Sequence, residues 1–217
     1  MIGKKTSSIV IAAAVVGTVL YARSIDMNLP GLNQGYAPEQ PIAFSHRLHS
    51  GELGMRCQYC HSGVEKSRHA GIPSASTCMN CHKFVTASSK AMGGRQRAPE
   101  ESPNPSRPVS QELSKLYLAF GFDPKTMEWD ERRAGKPIEW IRVHSLPDFV
   151  HFDHRSHVNA GVGCERCHGP VETMERVSQW SDLTMGWCVN CHRDVTKGRI
   201  ASLEGRSASI DCSVCHY

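Results

Sequence analysis

Apolar and polar residues alternate with no single period along this chain, and only two stretches have a pattern long enough to predict an element. The first is a continuous run, "IVIAAAVVGTVLYA", from Ile9 to Ala22, with no charged residue and most positions apolar. A membrane-crossing helix needs roughly 17 to 25 such residues, and Thr6 to Ser8 extend the run without adding charge. The run predicts an N-terminal signal anchor and transmembrane helix within residues 1–24. A cleaved secretory signal is the rival reading. Leu20-Tyr21-Ala22 argues against it by placing leucine where the cleavage site wants a small residue. With Lys4 and Lys5 ahead of the run, the positive-inside rule leaves the N-terminus cytoplasmic and the remainder outside. Residues 25–43 follow as a linker.

The second stretch is "SQELSKLYLAF", in which Leu113, Leu116, Tyr117 and Phe120 fall on one face of a helix. Ser110 is its natural N-cap and Gly121 its stop. It lies in a region without cysteine, residues 84–143, that begins loosely with "GGRQRAPEESPNPSRP", a linker composition. Two uses of the helix stay open: packing on the rest of the chain, or docking a partner subunit. Trp129 and Trp140 likewise suit either cofactor packing or an interface.

The cysteines carry the chemistry. All ten fall into five Cys-x-x-Cys-His motifs: Cys57/Cys60/His61, Cys78/Cys81/His82, Cys164/Cys167/His168, Cys188/Cys191/His192 and Cys212/Cys215/His216. A disulfide framework does not require a histidine after every second cysteine. Structural zinc takes four ligands, and an odd number of pairs cannot all combine into four-cysteine sites. A thioredoxin-type dithiol uses one such motif at a helix start. Covalent heme explains every position: the two thiols form thioethers with the porphyrin vinyl groups, and the adjacent histidine reaches the iron. The sequence therefore predicts five covalently bound heme c groups with His61, His82, His168, His192 and His216 as proximal ligands.

Seven further histidines, His46, His49, His69, His144, His151, His154 and His157, are available as second axial ligands. Four of them form pairs in "FSHRLH" and "FDHRSH", each shortly before a heme motif. Residues at i and i+3 share a helix face, so one imidazole of a pair can reach one iron and its partner a neighbouring iron. The pairs also reveal a repeat: "FSHRLHSGELGMRCQYCHSGVEK" matches "FDHRSHVNAGVGCERCHGPVET", and each then reaches another motif, "CMNCH" or "CVNCH". The chain divides into a diheme unit at 44–83 and a triheme unit at 144–217 that carries the fifth motif.

The F-x-H-x-x-H…C-x-x-C-H arrangement resembles the class III family of small multiheme cytochromes c. The run from Trp140 to Arg193 is similar to the pentaheme cytochrome c subunit of alternative complex III, a bacterial quinol-oxidising respiratory assembly. The resemblance implies that His46 faces the first heme and His154 the third, with His49 and His157 serving the second and fourth or another close heme. Met174 is proposed for the remaining iron as a thioether ligand, with His69, His144 and Met185 as lesser candidates. A surface histidine is the plain alternative for His69 and His144, and core packing for Met174. The fold expected is mostly irregular and α-helical, a multiheme cytochrome c with short helices around stacked hemes, plus the N-terminal transmembrane helix.

Charge must be counted with the cofactors. The chain is formally +4 with histidine neutral. Heme propionates take five loaded hemes to a total of roughly −1 oxidised and −6 reduced, so the basic residues balance propionates and nucleic-acid binding is rejected. No catalytic constellation accompanies the motifs, so the chain reads as an electron-transfer subunit and not itself an enzyme. The resemblance implies partners in iron–sulfur and polytopic quinol-binding subunits, with a monoheme cytochrome c or a terminal oxidase as acceptor. It implies a bacterial inner-membrane location with the heme domain on the periplasmic side. Two alternatives remain: a stand-alone membrane-anchored multiheme quinol dehydrogenase, and a multiheme reductase with one open heme.

Overall fold

A computed structural model describes residues 11–21, 32–86, 109–123, 126–130, 132, 135 and 137–216. Helix α1, residues 11–21, lies within the predicted anchor and every one of its residues is exposed. Among the described residues no helix is long and apolar enough to cross a membrane. The expectation of a transmembrane helix is thus without support in the fold, and residues 1–10 and 22–24 lie outside the described residues, as do 25–31 of the linker and 87–108 of the heme-free region.

The rest is short helices joined by irregular chain. A π-helical turn Arg47–Glu52 precedes α2 (Cys57–Cys60) and α3 (Ala75–His82). Then come α4 (Gln111–Phe120) and a two-stranded ribbon, β1 (Phe122–Asp123) with β2 (Glu128–Trp129). The second half holds α5 (His154–Asn159), α6 (Glu165–His168), α7 (Met185–Thr196) and α8 (Cys212–Cys215). β1 and β2 are antiparallel, with Phe122 opposite Trp129.

Helix α4 begins where Ser110 accepts the Leu113 N–H and ends at Gly121, whose φ of 80° only glycine adopts cheaply. It packs on α3: Leu116 and Tyr117 meet Met79 in the main buried cluster, flanked by Leu113, Phe120, Phe122 and Ile138. The Tyr117 hydroxyl donates to the His82 carbonyl at 2.5 Å. Of the two uses left open for this helix, the fold shows it packed on the chain itself. The side-chain core is small. Among the described residues the buried apolar side chains are Val64, Met79, Leu116, Tyr117, Val195 and Leu203, while Tyr59, Phe84, Phe149 and Trp180 stand largely exposed. A chain of this length ordinarily buries far more, so side chains alone do not fill the interior.

The two repeat units embrace reciprocally. The turn that carries His49 lies on the segment after the third motif: Arg47 N–H donates to the Met174 carbonyl at 2.9 Å. Arg47 also pairs with Glu175. Conversely, α5 lies on the segment after the first motif: His154 N–H donates to the Arg68 carbonyl at 3.1 Å and Arg155 N–H to the Ser67 carbonyl at 3.3 Å. Asn159 Nδ2 reaches the Glu65 carbonyl at 3.2 Å. The approach is close enough that a Cβ on Gly51 would stand 2.3 Å from the Glu172 carbonyl oxygen. In this symmetry Met174 corresponds to Ser67, two residues before His69.

Candidate heme sites

Each Cys-x-x-Cys-His motif sits on a helical turn, which places both thiols and the imidazole on one side. Motifs 1, 3 and 5 lie on the short helices α2, α6 and α8, and motifs 2 and 4 end or cross the longer α3 and α7. Helix α7 is started by Thr184, whose hydroxyl accepts the Trp187 N–H at 3.2 Å. Helix α8 is started by Asp211, whose carboxylate takes the Ser213 N–H at 2.9 Å. None of the ten cysteines is in a disulfide.

The histidine pairs face the motifs. The rings of His49 and His82 are 6.0 Å apart, those of His157 and His192 6.1 Å, and those of His154 and His168 6.3 Å. Two imidazoles that share a metal at about 2 Å from each nitrogen put their ring centres about 6 Å apart. The fourth, His46, is lowered to a pKa of about 4 by burial first and then by the neighbouring charges of His61 and His49. Phenylalanine holds each pair in the same way. Phe44 meets His46 edge-on at 4.8 Å and stacks on His49 at 4.3 Å. Phe152 meets His154 edge-on at 4.8 Å and stacks on His157 at 4.6 Å. These two residues were visible only as part of the repeat, and their spacing role comes from the fold.

The ring nitrogens can be accounted for one by one. A carbonyl can only accept, so an Nδ1 beside one carries the proton and leaves Nε2 with its lone pair. Nδ1 lies 2.7 Å from the Gly71 carbonyl in His61, 2.8 Å from Val85 in His82 and 2.5 Å from Ser209 in His192. Among the paired histidines, His49 uses the Ser45 carbonyl, His157 that of Asp153 and His154 that of Arg68, each at 2.9 Å. His46 Nδ1 is buried without a partner. Second-shell hydrogen bonds of this kind fix the tautomer and ring plane of a metal ligand. Ring spacing, tautomer and undisulfided thiols all fit covalently bound heme.

The remaining candidates are scattered. His69 and Met185 are exposed. Met174 is half-buried at the junction of the two units. His144 is half-buried against His168, with Nε2 3.2 Å from His168 Nδ1. Motif 5 is held elsewhere: His216 pairs with Val150 in a β-bridge, and its ring packs 5.8 Å from Phe149. His151 lies beside this motif, its N–H donating to the Cys215 carbonyl at 2.8 Å.

The thiols also reveal which motifs are neighbours. Burial first, and then Cys57 and Cys81, raises the Cys60 pKa, while Cys78 is raised by burial and then Cys60. Cys164 is raised by burial and then by the neighbouring Cys57. Cys167 is pushed up to about 11 by burial, then by Cys191 and Cys188. Cys188 is raised by burial and then by Cys215. Hydrogen bonds agree: Asn80 Nδ2 donates to the Tyr59 hydroxyl at 3.1 Å between motifs 1 and 2, and the backbone of α5 joins the segment after motif 1 to the approach to motif 3. The order in space is 2–1–3–4–5.

A fold of short helices whose thiol pairs and facing imidazoles recur in a row defines a multiheme cytochrome c, with covalently bound heme c and a role in electron transfer. Residues 42–99 and 150–217 match the family described as cytochrome c7 and related cytochrome c, and the chain belongs to that family. It is 31% identical over 200 residues to the menaquinone reductase, multiheme cytochrome c subunit, of Nitratidesulfovibrio vulgaris, covering 82% of this chain and 77% of that protein.

Proposed function

We propose that this chain carries five hemes and serves as the electron wire of a quinone-linked membrane complex, as in alternative complex III. The observation that carries the reading is the row of motifs, three of which have a second histidine ring about 6 Å from their own, while in motif 1 His46 lies near His61. Heme, when bound, supplies one-electron carriers. His46 with His49, and His154 with His157, ligate the irons of motifs 1 and 2 and of motifs 3 and 4. Each pair thereby fixes two neighbouring carriers at a set separation. The reciprocal contacts of the repeat units join the two pairs into one path with motifs 2 and 5 at its ends.

In this reading residues 1–24 anchor the chain in the bacterial inner membrane and the hemes lie on the periplasmic side. The chain has no substrate site of its own. Polytopic and iron–sulfur subunits oxidise quinol, and a monoheme cytochrome c or a terminal oxidase takes the electrons. A second reading follows from the menaquinone reductase relative: the same wire runs in the opposite direction, toward quinone.

Purification in mild detergent, followed by subunit identification and assays in both directions, tests the proposal. Co-purification with polytopic and iron–sulfur subunits and inhibitor-sensitive quinol:cytochrome c turnover is the expected result. Menaquinone reduction alone selects the second reading. A lone chain that oxidises quinol would make it a self-contained dehydrogenase.

A further inference from the structure

Motif 3 differs from the others in what holds its histidine. His61, His82, His192 and His216 all turn Nδ1 toward a backbone carbonyl. His168 turns Nδ1 toward a side chain, the His144 imidazole, 3.2 Å away with the rings crossing at 80°. The contact belongs to a closed circuit. Ser145 N–H, next along the chain, reaches Gln179 Oε1 at 3.4 Å, and Gln179 Nε2 donates to the Ser181 carbonyl at 3.1 Å. The Ser181 hydroxyl donates to the Cys167 carbonyl at 2.9 Å, which returns the circuit to the residue before His168. Gln179 is 1% exposed and Ser181 6%, so two of the buried polar residues serve to hold His144 against this one motif.

We infer that His144 is a positioning residue for the motif 3 heme: its Nε2 accepts the His168 Nδ1 proton, fixing the plane and the basicity of that axial ligand. The inference rests on His168 binding iron through Nε2, which leaves its single proton on Nδ1 and makes it the donor. It assigns His144 a role distinct from axial ligation, since the nitrogen it would need is occupied. A stronger acceptor on Nδ1 makes an imidazole more electron-donating and favours ferric iron. The potential of this heme is therefore set by a replaceable side chain. The His168 plane lies within 8° of that of His154, an alignment the contact would maintain.

The test uses the full-length holoprotein and the variants His144→Leu, His144→Phe and His144→Gln. Mass spectrometry first counts attached hemes. Loss of mass for motif 3 in the wild type would defeat the heme reading itself, not this inference alone. With all hemes attached, potentiometry should show one heme rising in potential in the Leu and Phe variants and staying nearer the wild type in Gln, which keeps an acceptor. The electron paramagnetic resonance signal of the near-parallel axial pair should change in the same variants while the other signals hold. Unchanged potentials and spectra would overturn the inference. Should the variants fail to take up heme, reduced wild-type protein labelled with 15N-histidine decides. A nuclear Overhauser contact between the Nδ1 proton of the motif 3 ligand and the His144 ring is expected, and its absence would refute the assignment.

Discussion

A histidine that gives one ring nitrogen to a metal has one proton left to place, and where that proton goes decides how firmly the ring is held. In seven histidines here a backbone carbonyl receives it, so side-chain substitutions elsewhere do not release those rings. Removing a ligand is a different matter. His157→Ala deletes the ring facing His192 and should leave the iron of motif 4 five-coordinate, so the reduced variant binds one more carbon monoxide per chain than the wild type. His154, its partner, faces motif 3 and should keep that site closed. The exposed His69→Ala should bind the wild-type amount. Equal binding by His157→Ala and the wild type would show that His157 is not an iron ligand.

At the scale of elements, one helix is stabilised by ordinary side-chain packing, and it is the one without cofactor. Leu116→Ala in α4 should cost about 2–5 kcal/mol, the range for emptying a buried leucine site. Tyr117→Phe removes the donor to the His82 carbonyl and should cost about 1 kcal/mol. Guanidinium unfolding of the holoprotein, followed by far-ultraviolet circular dichroism, measures both. A midpoint unmoved by Leu116→Ala would mean that α4 packs loosely on α3. This element was legible in the sequence because its cap, apolar face and stop are local signals spaced by the helix itself. The motif helices were legible for another reason, since thioether chemistry dictates their spacing. The π-helical turn and the mutual seating of the repeats were not. They depend on contacts between Arg47 and Met174, or Arg155 and Ser67, more than a hundred and nearly ninety residues apart. The role of Phe44 and Phe152 was hidden for the same reason: the repeat displayed them, but only the fold shows a ring wedged between two imidazoles. His144 was legible as a candidate, but its seat against His168 was not, because no spacing rule brings the two together.

For the whole molecule, linear order makes a specific demand. If the motifs run 2–1–3–4–5, motif 3 is the one link between motifs 1 and 2 and motifs 4 and 5. Cys164→Ala with Cys167→Ala should split reduction by a soluble donor into two kinetically separate groups, motifs 1 and 2 against 4 and 5. Cys78→Ala with Cys81→Ala should shorten the row by one and leave the remaining carriers in fast exchange. Stopped-flow heme absorbance distinguishes these outcomes, and a single fast phase in the motif 3 variant would exclude the linear order. The same order explains why so small an apolar core suffices: the units are joined through backbone contacts around the cofactor row.

The chain departs from the row after motif 2 and comes back to it at almost the same point, where Ser110 N–H meets the Thr86 carbonyl at 3.0 Å. Thr86 and Ser110 thus hold the two ends of residues 87–108 together beside motif 2, at an end of the row. Closing a longer loop costs only about 0.6 kcal/mol for each doubling of its length. A fluorescent domain or an affinity tag spliced in between Thr86 and Ser110 should therefore leave conduction intact, whereas the same insertion between Gly169 and Asp182 would pry open the bridge itself. Thr86 and Ser110 thus form a neck at which the cytochrome can be lengthened, labelled or tethered to a surface without rewiring it.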